Sequence, residues 1–430
     1  MTVKLPVKLL LFALSLVVLG RVASSQGLAP QPSPVERKIE AAKRGIAENP
    51  QKYQFYNDLV LALVRRVRET SDTDYYDQAQ EALKQSLRLA PDNIEGQKLQ
   101  VLLLLGRHEY AKAREEAAAL NKRMPDDILV WGYLADADIA LGNYGDAEKS
   151  AQWMIDLRPG NIPGLIRGAR LRALYGDFDG AMDFLNDAYL QTPPNEVEDQ
   201  AYYLAQMADL DLARGKLDQA ANLLAQALQL FPGYDVAVAG MARVRIAQHK
   251  FAEAVDLLRR RNPTIMDPHR LYELAGALER AGQRREAEVT YREFEQKALA
   301  QVEQADNANR DLIFYYTDYA RKPSEALRTA RLEIARRHDV ETLDAWAWSL
   351  YANGNSVEAR AELEKALALG VRDAVFFYHA GVIESALKRH SDAAQFFKQS
   401  LDLDPFSEVA VAARAALEQQ ARASAALARR

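Results

Sequence analysis

From residue 35 onward, apolar side chains recur three or four positions apart, in bursts separated by turn residues. The clearest stretch is 128–161, where one burst runs from Trp131 to Ile139 and a second from Tyr144 to Met154. This spacing predicts two amphipathic helices joined by a tight turn. Gly142 lies between the bursts, where the turn favours a residue without Cβ. Pro159 follows the second burst. It has no N–H to donate and clashes with the turn before it, so it ends the helix.

The punctuation repeats. Pro91, Pro125, Pro159 and Pro193 stand 34 residues apart, each after a helical pattern. Aligned on them, the unit is Trp131, Leu134, Ala135, Gly142, Tyr144, Ala147, Ala151, Met154 and Pro159, and it resembles the tetratricopeptide repeat. Ala135 and Ala147 fit that reading because paired helix axes approach closely only over small side chains. The next unit carries Gly168, Ala169, Gly176, Phe178, Ala181, Leu185, Ala188 and Pro193. A five-residue insertion near Asn195 precedes the unit ending at Pro232, and the one after it has His249 where glycine is expected. Gly282 and Ala287 restore the pattern, with a second helix running on towards Gln304. Residues 306–339 form the weakest unit, anchored by Ala326 and Ala330. Two better units follow, marked by Trp346, Ala347 and Gly354 and then by Ala380, Gly381, Phe397 and Pro405.

The resemblance covers about residues 35–405 and implies an all-α, right-handed superhelical solenoid of antiparallel helix pairs. We divide the chain into residues 35–261 as an N-terminal block, 262–339 as degenerate units forming a joint, 340–405 as a C-terminal pair of units, and 406–430 as a capping helix. That last helix is Ala-rich with Arg414, Glu418 and Arg422 interspersed, suiting one face to the final repeat and the other to water.

The N-terminus reads differently. Lys4 and Lys8 precede the uncharged run from Leu9 to Leu19, and small residues surround Ala23, Ser24 and Ser25. This predicts a secretory signal peptide over 1–25, followed by a Pro-rich linker over 26–34. The apolar core is shorter than the roughly 20 residues of a bilayer helix. The expected location is therefore the bacterial periplasm or the exterior; the alternative is an inner-membrane anchor formed by an uncleaved signal. Loss of Lys4, Lys8 and Arg21 makes the formal net charge of −5 three units more negative, which disfavours nucleic acid as a partner. No membrane span is expected once the signal is removed. Zero Cys excludes disulfides, thiolate zinc sites and a Cys nucleophile.

Catalytic constellations are missing. His108-Glu109 opens like a helical zinc-hydrolase motif, but Lys112 occupies the place of the second His. His249, His269, His338, His379 and His390 are scattered without ligand spacing and read as surface or turn residues. Asp177-Phe178-Asp179-Gly180 has the flavour of a calcium loop but lacks the downstream ligands, so a helix cap is expected at Asp177 or Asp179. No enzyme activity, cofactor or metal is expected.

What remains is surface. In the tetratricopeptide family the first helix of each pair lines a concave groove. The resemblance carries groove positions onto Arg167, Arg170, Tyr202, Asp209, Arg243, Tyr272, Trp348 and Tyr351. Aromatic and Arg side chains supply much of the energy of protein interfaces. The expected function is a non-catalytic adapter holding a partner protein or peptide of an envelope assembly or secretion complex. The alternative is a structural envelope protein that self-associates.

Overall fold

In a computed structural model, the described residues are 33–428 apart from 262–264 and 266; they form 22 α-helices and one π-helical turn, without a β-strand. The expected signal peptide, and the linker as far as residue 32, lie outside them. The opening helix, Pro34–Glu48, is fastened by a reciprocal cap: the Ser33 hydroxyl accepts from the Glu36 N–H, and the Glu36 carboxylate accepts from the Ser33 N–H. Antiparallel helix pairs then follow to the C-terminal helix Ala410–Ala428, whose Ala413 is buried against Phe397. The all-α solenoid of helix pairs expected from the sequence is the architecture observed.

The two helices of a pair differ. Tyr144–Leu157 buries a stripe made of Tyr144, Ala147, Ser150, Ala151 and Met154, as an amphipathic helix should. Ile128–Leu141 buries nine of its fourteen residues on every side, so it is apolar nearly all round rather than amphipathic. It is enclosed because first helices of successive pairs pack on one another, whereas second helices do so far less. That wedge bends the stack and places the first helices on the inside. Ala135 and Ala147 are fully buried at the pair's crossing.

The turn within a pair requires a left-handed residue whatever the side chain. Gly142 has φ +83°, and His249 and Lys388 adopt φ 59° and 61° at the equivalent places. An L-residue there costs about 1–2 kcal/mol. Residues 306–339 are a complete pair whose first helix, Asn309–Phe314, passes into the π-helical turn Tyr315–Tyr319 before Pro323–Ile334. The π turn inserts a residue and rotates the following face, which obscures the repeat in the sequence. Ala326 and Ala330 are its buried anchors. The helix Arg284–Ala300 stops short of Gln304.

The solenoid winds tightly enough to touch itself. The Thr70 carbonyl accepts from Arg270 at 3.0 Å, 200 residues on. His108 Nδ1 lies 3.1 Å from Asp306. The His338 N–H donates to the Leu141 carbonyl (3.2 Å), and the Val340 N–H donates to the Tyr144 hydroxyl (2.8 Å), 196 residues apart. Gly176 abuts the Arg372 side chain, and Gly215 faces Asp404 and Pro405. Turns inside pairs on one coil thus rest on turns between pairs on the next, about six 34-residue units later. A shared core crosses this seam, joining Ile139, Tyr144 and Leu171 to Val340, Leu343 and Phe376. The joint expected over 262–339 has to break the contacts at Asp306 and His338 before it can open.

Candidate partner-binding surface on the inner face

The first helices bring their exposed positions to the inside of the coil, where water reaches them but protein walls them in. Around Tyr202, on the helix Val197–Leu212, several charges converge: Arg68, Arg170, Asp136 and Arg167 all act on its hydroxyl, whose pKa burial raises. The Arg68 guanidinium lies 5.3 Å from the Tyr202 ring centroid and pairs with Glu198 (2.9 Å) and Asp199 (2.8 Å). Burial raises Glu198, which also accepts from the Tyr234 hydroxyl at 3.1 Å.

Arg167 is already occupied. Its guanidinium donates to the carbonyls of Gly132 (2.9 Å) and Pro163 (3.0 Å) and to the Asp136 carboxylate, tying one first helix to the next. Arg170, one turn further on, is exposed and makes no ion pair or hydrogen bond among the described residues, although its charge reaches Tyr110, Tyr144 and Tyr202. Asp209 and Arg243, both anticipated as groove residues, pair with each other at 2.9 Å, and burial raises the carboxyl of Asp209.

The later half of the inner face is acidic. Tyr272 is half-buried against Phe294 and Tyr291, at 5.2 and 6.2 Å between ring centroids. Burial lifts its hydroxyl pKa well above the usual value, helped by the charges of Asp311, Glu408 and Asp318. Trp348 is buried: its ring stacks on His379 at 3.9 Å and on Tyr351 at 4.9 Å, and its Nε1–H donates to Asp318 at 2.8 Å. Trp348 therefore shapes the wall while Tyr351 borders it. His379, expected at the surface or in a turn, is 3% exposed and bonded to Asp344 at 2.8 Å. Burial alone would lower its pKa, but the charge and hydrogen bond of Asp344 leave it raised.

His269 is also more than a turn residue. Its Nδ1 lies 2.9 Å from Asp311, and Glu273 is 3.7 Å from Nε2. The Asp311 charge outweighs burial and pushes the imidazole up to about 9, with Glu273 and Asp267 assisting. The ring is thus cationic at neutral pH. A raised pKa means that the pair's contribution is complete below about 6.5, the unfolded value, and lost as pH rises through about 9. NMR titration of the His269 ring protons should give a midpoint well above 6.5, and Asp311→Asn should return it towards the ordinary value; a wild-type midpoint near 6.5 would refute the pairing.

Arg68 and Asp318 escaped the sequence reading, and His379 was placed by it at the surface or in a turn. Arg68 lies on the helix Tyr53–Thr70, ahead of the first of the regularly spaced prolines, and Asp318 lies in the π turn, where the repeat register is lost. The pairing of His379 with Asp344, two units' first helices one repeat apart, is a 35-residue spacing visible only after alignment. Asp177 caps its helix through the Gly180 N–H, as anticipated. No group of three or more His, Asp or Glu suited to a metal occurs among the described residues, and no described helix is long and apolar enough to cross a membrane.

Residues 211–269 match the tetratricopeptide repeat family. A TPR repeat-containing protein of Methanocaldococcus jannaschii is 27% identical over 124 residues, covering 28% of this chain and 21% of that protein; the match thus spans about a fifth of its length. Among solved structures, the APC/C hetero-tetramer Cut9–Hcn1 is 14% identical, with 90% of this chain and 59% of that one covered and a TM-score of 0.45. The human IFIT1 dimer with PPP-AAAA is 16% identical over 86% and 87% of the two chains, with a TM-score of 0.49. Residues 211–269 thus carry the tetratricopeptide-repeat match, and the same helix-pair plan continues on both sides of them.

Proposed function

We propose that this protein is a non-catalytic scaffold that holds a partner protein or peptide on the inner face of its coil, after export to the periplasm or cell exterior. The observation carrying this is Arg170: an exposed guanidinium among Tyr110, Tyr144 and Tyr202, with no carboxylate paired to it among the described residues. Its neighbour Arg167 shows what such a group does when the fold needs it, forking onto Asp136 and two carbonyls. Arg170 is left for an acidic group of the partner, with tyrosine rings supplying contact area at small entropic cost. Export rests on residues 1–25, and the partner class is a component of an envelope assembly or secretion complex.

A photo-reactive amino acid at Tyr202, compared with one at Val357, which is 75% exposed on a second helix, tests the reading in living cells. Crosslinks to a defined envelope protein are expected from position 202 and not from 357, and Arg170→Glu should lower the yield about tenfold, the loss of one charged hydrogen bond. Self-crosslinks alone, with a molar mass that rises with concentration, would replace the scaffold by the self-associating structural protein.

A further inference from the structure

A second recognition site lies on the outer face, away from Arg170. The second helices Ser356–Leu367 and His390–Leu403 splay apart over the first helix Ala374–Ala386, leaving a cleft of about 250 Å³. That volume suits one side chain rather than a cofactor. Its apolar walls are Leu363, Leu367, Ile383 and Phe396. Its polar lining is dominated by acceptors: Glu384, Glu364, Asp392 and Gln399, with Arg360 as the single basic group.

The acceptors are not all satisfied. Glu384, 3% exposed, uses Oε1 to accept from Arg360 Nε at 2.6 Å. Its Oε2 is buried without a hydrogen bond, and the nearest cation, Arg389 Nε, is 3.8 Å away. Gln399 Oε1 is likewise buried and unbonded. Arg360 is drawn away from the cleft's remaining charge by Glu364 at 2.5 Å. Two orphaned acceptor oxygens in one slot are costly unless a donor enters. The apolar walls require that donor to arrive on a hydrocarbon stem.

We propose that this outer cleft receives a lysine side chain of a partner protein. The four-carbon stem lies along Leu363, Leu367 and Phe396. The ammonium, with three donors and no acceptor, bonds Glu384 Oε2 and Gln399 Oε1 and is further neutralised by Asp392. An aspartate or glutamate would meet like charge there, and a purely apolar residue would leave both oxygens unpaired. The scaffold thus has two faces of opposite preference, an inner one for acidic groups at Arg170 and an outer one for a basic residue.

The test uses the full chain with labelled methyl groups and two small probes, N-acetyl-lysine methylamide and its norleucine counterpart, which keeps the stem and lacks the ammonium. The lysine probe should move the methyl signals of Ile383, Leu363 and Leu367 saturably, and the norleucine probe should bind about tenfold more weakly. Glu384→Gln should abolish the preference. Asp392→Asn, at an exposed position, should reduce it without touching a buried group. Equal binding of the two probes would make the cleft a merely apolar slot and overturn the proposal, as would no shift with either. Concentration-dependent dimerisation lost in Glu384→Gln would assign the cleft to a second copy of this chain and overturn the separate partner.

Discussion

Replacing Gly142 by alanine should cost about 4 kcal/mol, while the same change at Gly354 should cost about 1 kcal/mol. Both glycines have φ +83°, so the strain of a left-handed L-residue is common to both. They differ in what a Cβ would meet. At Gly354 nothing lies within 4 Å; at Gly142 the new methyl would overlap the backbone carbonyl of His338 on the next coil. Backbone cannot rotate aside as a side chain does, so the seam has to part. It would take with it the bonds from His338 to Leu141 and from Val340 to Tyr144, each worth roughly 1 kcal/mol, and part of the apolar core they enclose. Repeat arrays unfold piecewise, so hydrogen exchange is the better readout than a single midpoint. Gly142→Ala should speed exchange at 139–144 and 338–343 together, and Gly354→Ala should leave both segments protected. Equal effects of the two substitutions would mean that the coils are not held at this seam.

The second large effect should come from Asp235→Ala, at about 3 kcal/mol. Asp235 is buried and accepts from Arg261 at 2.6 and 2.9 Å and from the Ser71 hydroxyl at 2.8 Å, with Arg270 at 3.0 Å. It therefore binds the first coil to the turn that begins the degenerate units. Removing it leaves two guanidiniums, each less than a tenth exposed, to share the carboxylates of Glu273 and Asp267. Burial pushes the Asp235 carboxyl up, but the hydrogen bond and charge of Arg261 and the charge of Arg270 hold it below its ordinary value. For a lowered carboxylate the stabilisation is complete above the unfolded pKa of about 3.9 and lost as pH falls through the folded one. Wild type should thus lose stability on acidification below about pH 4, and Asp235→Asn should lose much of that dependence. Unchanged acid sensitivity in Asp235→Asn, measured by chemical denaturation across pH, would show that other carboxylates govern it.

Much of the fold was legible because its information is local. Ala135, Ala147, Ala326 and Ala330 are small where helices cross, and each is buried as the spacing implies. The inner-face positions were placed on the right helices by register, but their availability was not readable. Arg167 and Arg170 read alike in sequence, and only the structure reveals that Arg167 is consumed by hydrogen bonds to Gly132, Pro163 and Asp136 while Arg170 makes none among the described residues. Trp348 looked like a contact residue and is instead walled in by His379 and Tyr351. Periodicity says which face a residue occupies; neighbours decide whether it is exposed.

By itself the sequence determined the helix pairs, their 34-residue period, the left-handed turn at Gly142 and the absence of cysteine chemistry, since each depends on residues within a few turns of one another. Only the tertiary structure decided that the coil closes on itself. The hydrogen bonds of Thr70 with Arg270 and of Tyr144 with Val340 join residues 200 and 196 apart across the seam, at a distance set by the accumulated rotation of about six units. A small change in the angle per repeat would move that meeting point by many residues. No local pattern encodes it, and for that reason the second role of Gly142, as the place where one coil rests on the next, became visible only in three dimensions.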